Sequence, residues 1–552
     1  MMSYDPRDLF RLDPGFLRQY DGKSPPWGPL GRIVFERTYA RLLSEQGRSE
    51  TAAEVFARCT EAVMGILHHR ANQADAHWSS DKAQREGQEM FRRMWTFRVI
   101  PAGRGLANLG TQAMLVKGGC VNYNCAMVGT EGLGVTQPFH RPFTLAMDLL
   151  MLGVGVGFVT RGAAWKGIPF GPSVGLCWPA EGRDTHTIPD TREGWCDAVK
   201  RLMEAFAGTG TLPVRWDYSQ LRPKGAPLKT FGGTSSGYAP LEDLLTTLHA
   251  ILVPYAAIHI PLDAVGITDA MNVIGRCVVA GGNRRSSQLS LGAWGDDSFA
   301  GLKDPTELNS LYERQAEVAK ADVAATALDA SARECRKAQQ GFSALDTRSR
   351  ELHVRAAAMD AERRGVLASN PVWAALELAI QKHPLRAWRW CSNNSLLVPP
   401  GTTDYSDVAA RIARNGEPGL LWLDNVRRFG RMADGDLTKG PAPFSGLRPD
   451  TAIGTNPCGE ITLESGELCN LQECFPGLHD SVEDWHQSLK YAYMIGKAVS
   501  DVPLHDPKVD AVVQRNRRLG ISITGIAEWY TKMGPAKMAA AHDKGYRELR
   551  RH

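Results

Sequence analysis

The stretch from Phe143 to Phe158 constrains the fold more than any other part of the chain. Its first half, Phe143-Thr144-Leu145-Ala146-Met147-Asp148-Leu149-Leu150-Met151-Leu152, is an apolar run of helical character. Its second half, Gly153-Val154-Gly155-Val156-Gly157-Phe158, alternates glycine with apolar residues and suits a strand. The segment therefore predicts a helix that breaks at Gly153 into a glycine-rich strand. Extended to Thr160, the apolar stretch carries Asp148 and is too short to span a bilayer. The three glycines have neither the spacing nor the strand-first order of a dinucleotide-binding fingerprint. Glycine in a strand instead lets another backbone come close.

Around this segment the chain changes texture. Residues 1–95 read as an N-terminal helical region: Ile33–Leu43 and Thr51–Leu67 carry apolar residues three and four apart, and Met90–Trp95 continues the pattern. From Arg98 onward, short apolar runs are punctuated by glycine, as in Val99-Ile100-Pro101-Ala102-Gly103-Arg104-Gly105-Leu106 and Asn122-Tyr123-Asn124-Cys125-Ala126-Met127-Val128. Pro189-Asp190-Thr191-Arg192-Glu193-Gly194-Trp195 opens another helix, with proline and acidic residues where a helix N-terminus favours them. Residues 305–371 differ again. No proline interrupts them between Pro305 and Pro371, and alanine and charged residues dominate. Ser343-Ala344-Leu345-Asp346, just after Gly341, resembles a capping box, so a helical hairpin insertion is expected here. The chain is thus divided into segments 1–95, 96–304, 305–371 and 372–552.

Hydrophobic residues make up 43% of the chain and charged residues 22%, enough for a sizeable globular core. A net charge of +4 over 552 residues argues against a surface that coats nucleic acid, although mild basicity suits phosphate-bearing ligands. The eleven cysteines form no dense framework, which points to reduced thiols and a cytoplasmic protein. Met1–Asp8 lacks the apolar core of a signal peptide, and no membrane association is expected.

The chemistry is concentrated at Thr455-Asn456-Pro457-Cys458-Gly459-Glu460. If extended, the hexapeptide would send the Asn456 amide, the Cys458 thiol and the Glu460 carboxylate to one face. Pro457 and Gly459 are poor strand residues and favour a protruding loop. An amide can grip hydroxyls as donor and acceptor, and a carboxylate can take a proton. For the hexapeptide alone, a turn around a structural cysteine is the competing reading. Cys469 follows in Gly466-Glu467-Leu468-Cys469-Asn470-Leu471. Cys120, Cys125, Cys469 and Cys474 make two pairs spaced by five, which raises a zinc site as an alternative. No Cys-x-x-Cys occurs, and no metal is expected. Phe231-Gly232-Gly233-Thr234-Ser235-Ser236-Gly237 is a loop of small residues whose amides could cradle an anion. Gly232, Gly233, Thr234, Ser235 and Ser236 are accordingly candidate substrate- or phosphate-binding residues.

Asn456-Pro457-Cys458-Gly459-Glu460-Ile461 followed by Gly466-Glu467-Leu468-Cys469-Asn470-Leu471 resembles the active-site finger loop of ribonucleotide reductases. The likeness is greatest to the monomeric, adenosylcobalamin-dependent (class II) ribonucleoside-triphosphate reductases. Asp217–Gly225, Phe231–Gly237, Ala280–Gln288, Ser392–Ser395, Asn415–Gly419 and Arg515–Trp529 are similar to further blocks of that family. The resemblance implies an α/β fold whose core is a ten-stranded α/β barrel, with the finger loop projecting into its centre. It implies that Cys458 becomes a thiyl radical and takes the 3′ hydrogen, that Glu460 accepts the 3′-hydroxyl proton, and that Asn456 holds the ribose hydroxyls. Cys125 and Cys469 would supply two electrons and end as a disulfide, with Cys125 also protonating the departing water. Such a bond needs Cα atoms within roughly 7 Å. Cys120 competes with Cys125 for this role, but Asn124-Cys125 fits the family block better.

The same resemblance implies adenosylcobalamin as cofactor, a ribonucleoside triphosphate as substrate, a deoxynucleotide effector and a thioredoxin-like reductant. An Asp-x-His-x-x-Gly cobalamin motif is absent, since Asp184-Thr185-His186 and Asp75-Ala76-His77 both lack the glycine. The family is expected to bind the cofactor without it. The family's Pro-x-Gly-Thr-x-Ser loop, later barrel strands and C-terminal cysteine pair do not occur in this sequence. The barrel is therefore expected to be incomplete, with a separately encoded C-terminal fragment as a partner. A catalytically silent remnant or a regulatory nucleotide-binding protein of the same fold is the alternative. The joint presence of Asn456, Cys458, Glu460, Cys125 and Cys469 favours the reductase.

Overall fold

The computed structural model describes residues 2–43, 46–160, 170–172, 174–228, 234–279, 287–303, 387–430 and 450–549. The helical hairpin expected within 305–371 lies outside these residues, as do Gly232, Gly233 and residues 280–286. The chain forms two compact units. One comprises Met1–Ala126, Leu228–Gly232 and Gly466–His552; the other comprises Met127–Pro227 and Gly233–Ser465.

In the first unit, α1 (Pro29–Thr38) begins on Pro29, where a missing N–H costs nothing. Its expected continuation to Leu43 does not form. Leu42–Leu43 (β1) instead pairs antiparallel with Arg48–Ser49 (β2). Arg41 is the reason. Its amide donates to the Glu50 carboxylate at 3.0 Å, its carbonyl accepts from the Glu50 amide at 2.8 Å, and its guanidinium reaches the Ala107 carbonyl at 2.7 Å. These bonds hold the backbone extended where a helix would have to pass. The next helix, α2 (Ala52–Gln73), starts at a capping box in which Thr51 and Glu54 satisfy each other's backbone amides. Ser79 caps α3 (Ser80–Trp95), and Phe56, Phe91 and Trp95 pack together between the two helices. There follow β3 (Val99–Pro101), α4 (Gly103–Asn108) and β4 (Cys125–Val128).

The second unit contains the segment that constrained the fold. Helix α5 (Arg141–Met151) stops before Gly153, which has φ +83°, and β5 (Gly155–Val159) is buried at every position. The expected break is therefore where the helix ends. After α6 (Arg192–Phe206), α7 (Ala239–Ala257) and α8 (Ala264–Val279) come β6 (Gln288–Ala293), β7 (Ser392–Leu397) and β8 (Gly419–Leu421). Strands β5, β6, β7 and β8 pair in that order, all parallel; Leu289 of β6 lies between Gly157 of β5 and Asn393 of β7. Buried parallel strands are usually apolar throughout. Here Gln288, Ser290, Ser392 and Asn394 are buried instead, and Ser290 is bonded to Thr268 of α8 at 2.9 Å. Arg389 lies just before β7. It makes two 2.8 Å bonds to Asp269 of α8 and a third, at 3.1 Å, to the Leu302 carbonyl. A short antiparallel hairpin, β9 (Gly454–Thr455) and β10 (Thr462–Leu463), closes this part of the chain.

The chain then returns to the first unit with β11 (Leu468–Cys474), α9 (Val482–Asp501) and β12 (Leu519–Ile523). Strand β12 lies parallel to β11 on one edge. Along β11 run β3, facing Gln472–Cys474, and the Cys125–Ala126 end of β4, facing Leu468–Cys469, both antiparallel. Helix α9 is tied to α3 by Arg93, which donates to Asp484 at 2.9 Å and to Ser488 at 2.7 Å. Among the described residues no helix is long and apolar enough to cross a membrane.

Candidate active site

Asn-Pro-Cys-Gly is a β-turn sequence: asparagine suits the first position, proline the second and glycine the fourth. The turn forms, with the Gly459 amide donating to the Asn456 carbonyl at 2.9 Å and Gly459 at φ +84°. The hexapeptide is thus the bend between β9 and β10, and an extended arrangement with three side chains on one face does not occur. Asn456 is fully buried, whereas Cys458, Gly459 and Glu460 are exposed. The protruding-loop reading describes this geometry.

The two ends of the Asn456 amide are in different situations. Its Oδ1 accepts from the Ile461 amide at 3.0 Å, and its backbone N–H donates to the Ile461 carbonyl at 2.9 Å. Its Nδ2 is buried and has no partner among the described residues. Buried donors are normally satisfied, so an orphaned one calls for an acceptor supplied by something else. The hairpin itself is braced. Thr451 donates to Glu464 at 2.6 Å, and Arg427 donates to the Ala452 carbonyl at 3.0 Å. Around Gly459 there is open space; a Cβ added there would meet nothing within 4 Å.

In the first unit, Cys125 stands directly opposite Cys469 across the antiparallel β4–β11 pair. Facing positions of an antiparallel pair put Cα atoms about 4.5–5.5 Å apart, and disulfides join Cα atoms about 4.4–6.8 Å apart. Both residues are buried. The zinc alternative fails on the same register. Cys474 is five positions along β11 from Cys469, about 17 Å away and on the other face. It stands opposite Val99 of β3, and burial pushes its thiol well above the usual range. Among the described residues no three His, Cys, Asp or Glu side chains are grouped to hold a metal. Cys120 lies in a short 3-10 turn (Gly119–Asn122) before β4.

The small-residue loop is partly described. The Ser235 amide donates to the Ala226 carbonyl at 2.8 Å, and the Gly237 amide donates to Ser235 Oγ at 3.0 Å. Those two amides are engaged within the loop, and Ser236 Oγ donates to the Gly237 carbonyl at 3.5 Å; Thr234 is exposed and Ser236 half-buried. Sequence reasoning gives no role to Arg104, at the first turn of α4. Burial lowers its pKa, and the neighbouring Cys125 and Tyr39 act in the opposite sense.

Comparison with known proteins bears on this arrangement. Residues 12–111 match the ribonucleotide reductase alpha domain. Residues 178–252 match the insertion domain of B12-dependent ribonucleotide reductase, a segment that the sequence reading had left undivided within 96–304. An adenosylcobalamin-dependent ribonucleoside-triphosphate reductase of Euglena gracilis is 34% identical over 545 residues, covering 98% of this chain and 61% of the relative. A probable enzyme of the same description from Dictyostelium discoideum is 32% identical, covering 94% and 58%. A crystal structure of a B12-dependent (class II) ribonucleotide reductase superimposes with a TM-score of 0.68 at 26% identity, covering 95% of this chain and 66% of that one. The chain spans about three fifths of the length of the curated relatives it matches. Along nearly its whole length, then, this chain is similar in sequence and in α/β fold to the adenosylcobalamin-dependent, class II ribonucleotide reductases.

Proposed function

We propose that this protein reduces ribonucleoside triphosphates to 2′-deoxyribonucleotides by thiyl-radical chemistry, with adenosylcobalamin as cofactor. The observation that carries the reading is the pairing of Cys125 with Cys469: two buried cysteines, 344 positions apart, held face to face. Replacing a 2′-hydroxyl by hydrogen consumes two electrons and two protons and releases water. Two thiols that close to a disulfide supply both. Cys125 is assigned the proton that leaves with the water.

Cys458 is assigned hydrogen abstraction from the 3′ carbon, a step that needs an accessible sulfur, and its side chain is exposed. Glu460, exposed beside it, is assigned the 3′-hydroxyl proton. The orphaned Nδ2 of Asn456 fits a donor to a ribose hydroxyl. The turn is open to an approaching group, since Cys458, Gly459 and Glu460 are all exposed. When bound, adenosylcobalamin supplies the radical that starts the reaction. Thr234 and Ser236, with Gly232, Gly233 and Ser235, are kept as proposed phosphate contacts. A thioredoxin-like dithiol is the proposed reductant, a deoxynucleotide the proposed effector, and the cytoplasm, where thiols stay reduced, the proposed compartment.

The test is turnover of a ribonucleoside triphosphate with adenosylcobalamin and a dithiol, followed by chromatography of the nucleotides. Deoxynucleotide is expected from the unmodified protein and none from Cys458→Ser. Cys125→Ser and Cys469→Ser should release free base from a damaged nucleotide. Product that survives Cys458→Ser would overturn the proposal.

A further inference from the structure

Strand β11 brings more than the Cys469 thiol to Cys125. At Leu471 the carbonyl accepts from the Ala102 amide at 3.2 Å, while the amide donates to Asn124 Oδ1 at 3.1 Å. Ala102 and Asn124 therefore meet at one residue of β11. Arg104 lies two positions beyond Ala102, and Cys125 one beyond Asn124. Helix α4, which carries Arg104, is held rigidly in this place. Arg58 donates to the Leu106 carbonyl at 3.0 Å and also to the Leu109 carbonyl, while Asn108 donates to the Val121 carbonyl at 2.8 Å. Arg104 is half-buried, and burial lowers its pKa while the neighbouring Cys125 acts in the opposite sense.

Other titratable groups lie close to the pair among the described residues. Cys469 faces Cys125 from β11, and Tyr39 faces Arg104 from the end of α1. Glu467, immediately before β11, is buried but paired with Arg518 at 2.9 Å, so its charge is compensated. A thiolate is stabilised by a nearby cation, most strongly where water is excluded.

We propose that Arg104 is the positioning residue of the dithiol, its half-buried charge making Cys125 the member of the pair that ionises. The proposal rests on the dithiol reading of Cys125 and Cys469. With Arg104 in place, Cys125 gives up a proton to the departing hydroxyl and its thiolate is held by the guanidinium. As the Cys125–Cys469 S–S bond forms, the Cys469 S–H bond breaks, and its hydrogen passes with the pair's two electrons to the 2′ carbon in place of the departed water. In the reverse exchange with an external dithiol, Cys125 is the better leaving group.

The test uses the full chain equilibrated in mixtures of reduced and oxidised dithiothreitol. In these, the two thiols and oxidised dithiothreitol give the disulfide and reduced dithiothreitol. The pH runs from about 6 to about 10, bracketing the ordinary thiol value. Acid quenching, alkylation and peptide mapping then report the Cys125–Cys469 disulfide. The slope of potential against pH halves where the first thiol ionises, because one proton instead of two then accompanies the electrons. In Arg104→Gln this break is expected about one to three pH units higher than in the unmodified protein, with Arg104→Lys largely restoring it. Should Arg104→Gln fail to fold, alkylation of the unmodified protein gives a second reading, with Cys125 expected to label at lower pH than Cys469. A disulfide that forms with an unmoved break, or with Cys469 labelling first, overturns the role of Arg104 alone. No disulfide in any mixture overturns the dithiol reading and this proposal together.

Discussion

Replacing Asn456 with alanine should loosen the turn at Cys458 before any substrate is present. Three hydrogen bonds join Asn456 to its turn, and two of them are backbone bonds that survive the change. The third, from the Ile461 amide to Oδ1, is buried and would be lost, leaving that N–H without a partner. An unsatisfied buried donor costs about 1–3 kcal/mol. The change also removes the orphaned Nδ2 and so returns part of that cost, which makes a rise of roughly 150-fold the upper bound for the opening equilibrium of the bend. Hydrogen exchange followed by mass spectrometry on peptides covering Gly454–Leu463 measures this directly. Exchange at Ile461 and Gly459 should accelerate by up to that factor, while peptides from β5 and β6 keep their protection. Glu460→Gln, changed at an exposed side chain, should leave the exchange alone. The comparison separates the half of the amide that holds the turn from the half assigned to the ribose. Unchanged protection at Ile461 in Asn456→Ala would falsify the argument that Oδ1 holds the bend.

Asp269→Asn should destabilise the second unit by about 3–5 kcal/mol, because it strands the fully buried Arg389 guanidinium without its counter-charge. Denaturant unfolding measures the loss, and a shift under about 1 kcal/mol would contradict it. Peptide mapping after mild oxidation should find Cys125 joined to Cys469 with Cys458 free; a disulfide that includes Cys458 would contradict the assigned roles. At Glu54, the hydrogen bond from Arg48, together with those from Thr51, lowers the carboxyl to about 2. Its folded value lies below the unfolded one, so its stabilisation is complete above about pH 4.3 and is lost as the pH falls toward 2. Acid unfolding of Glu54→Gln should accordingly lack this contribution at the start of α2, and a profile identical to the unmodified protein's would exclude it.

Much of the local structure is legible in the residues themselves. The stop at Gly153 follows from a left-handed backbone that glycine alone adopts easily. The bend at Cys458 follows from Asn-Pro-Cys-Gly, and the start of α2 from Thr51 and Glu54. All of these rest on interactions within four residues. Leu42–Leu43 went the other way. Its helical pattern yields to Arg41, which binds Glu50 and the carbonyl of Ala107, residues no local rule connects to it.

The candidate site divides along the same line. The sequence alone determined which atoms are present: an amide, a thiol and a carboxylate on one bend, and two more cysteines far apart in the chain. That Asn456 is buried while Cys458 is exposed depends on what the rest of the second unit packs against the hairpin. That Cys125 faces Cys469, five positions from Cys474, is a matter of strand register. Register is decided by which faces of β3, β4 and β11 bury together and by the Leu471 bonds that lock them, with Arg104 brought alongside as a result. Composition and spacing have no access to that choice, because its energy comes from groups hundreds of residues apart that meet only in the folded chain.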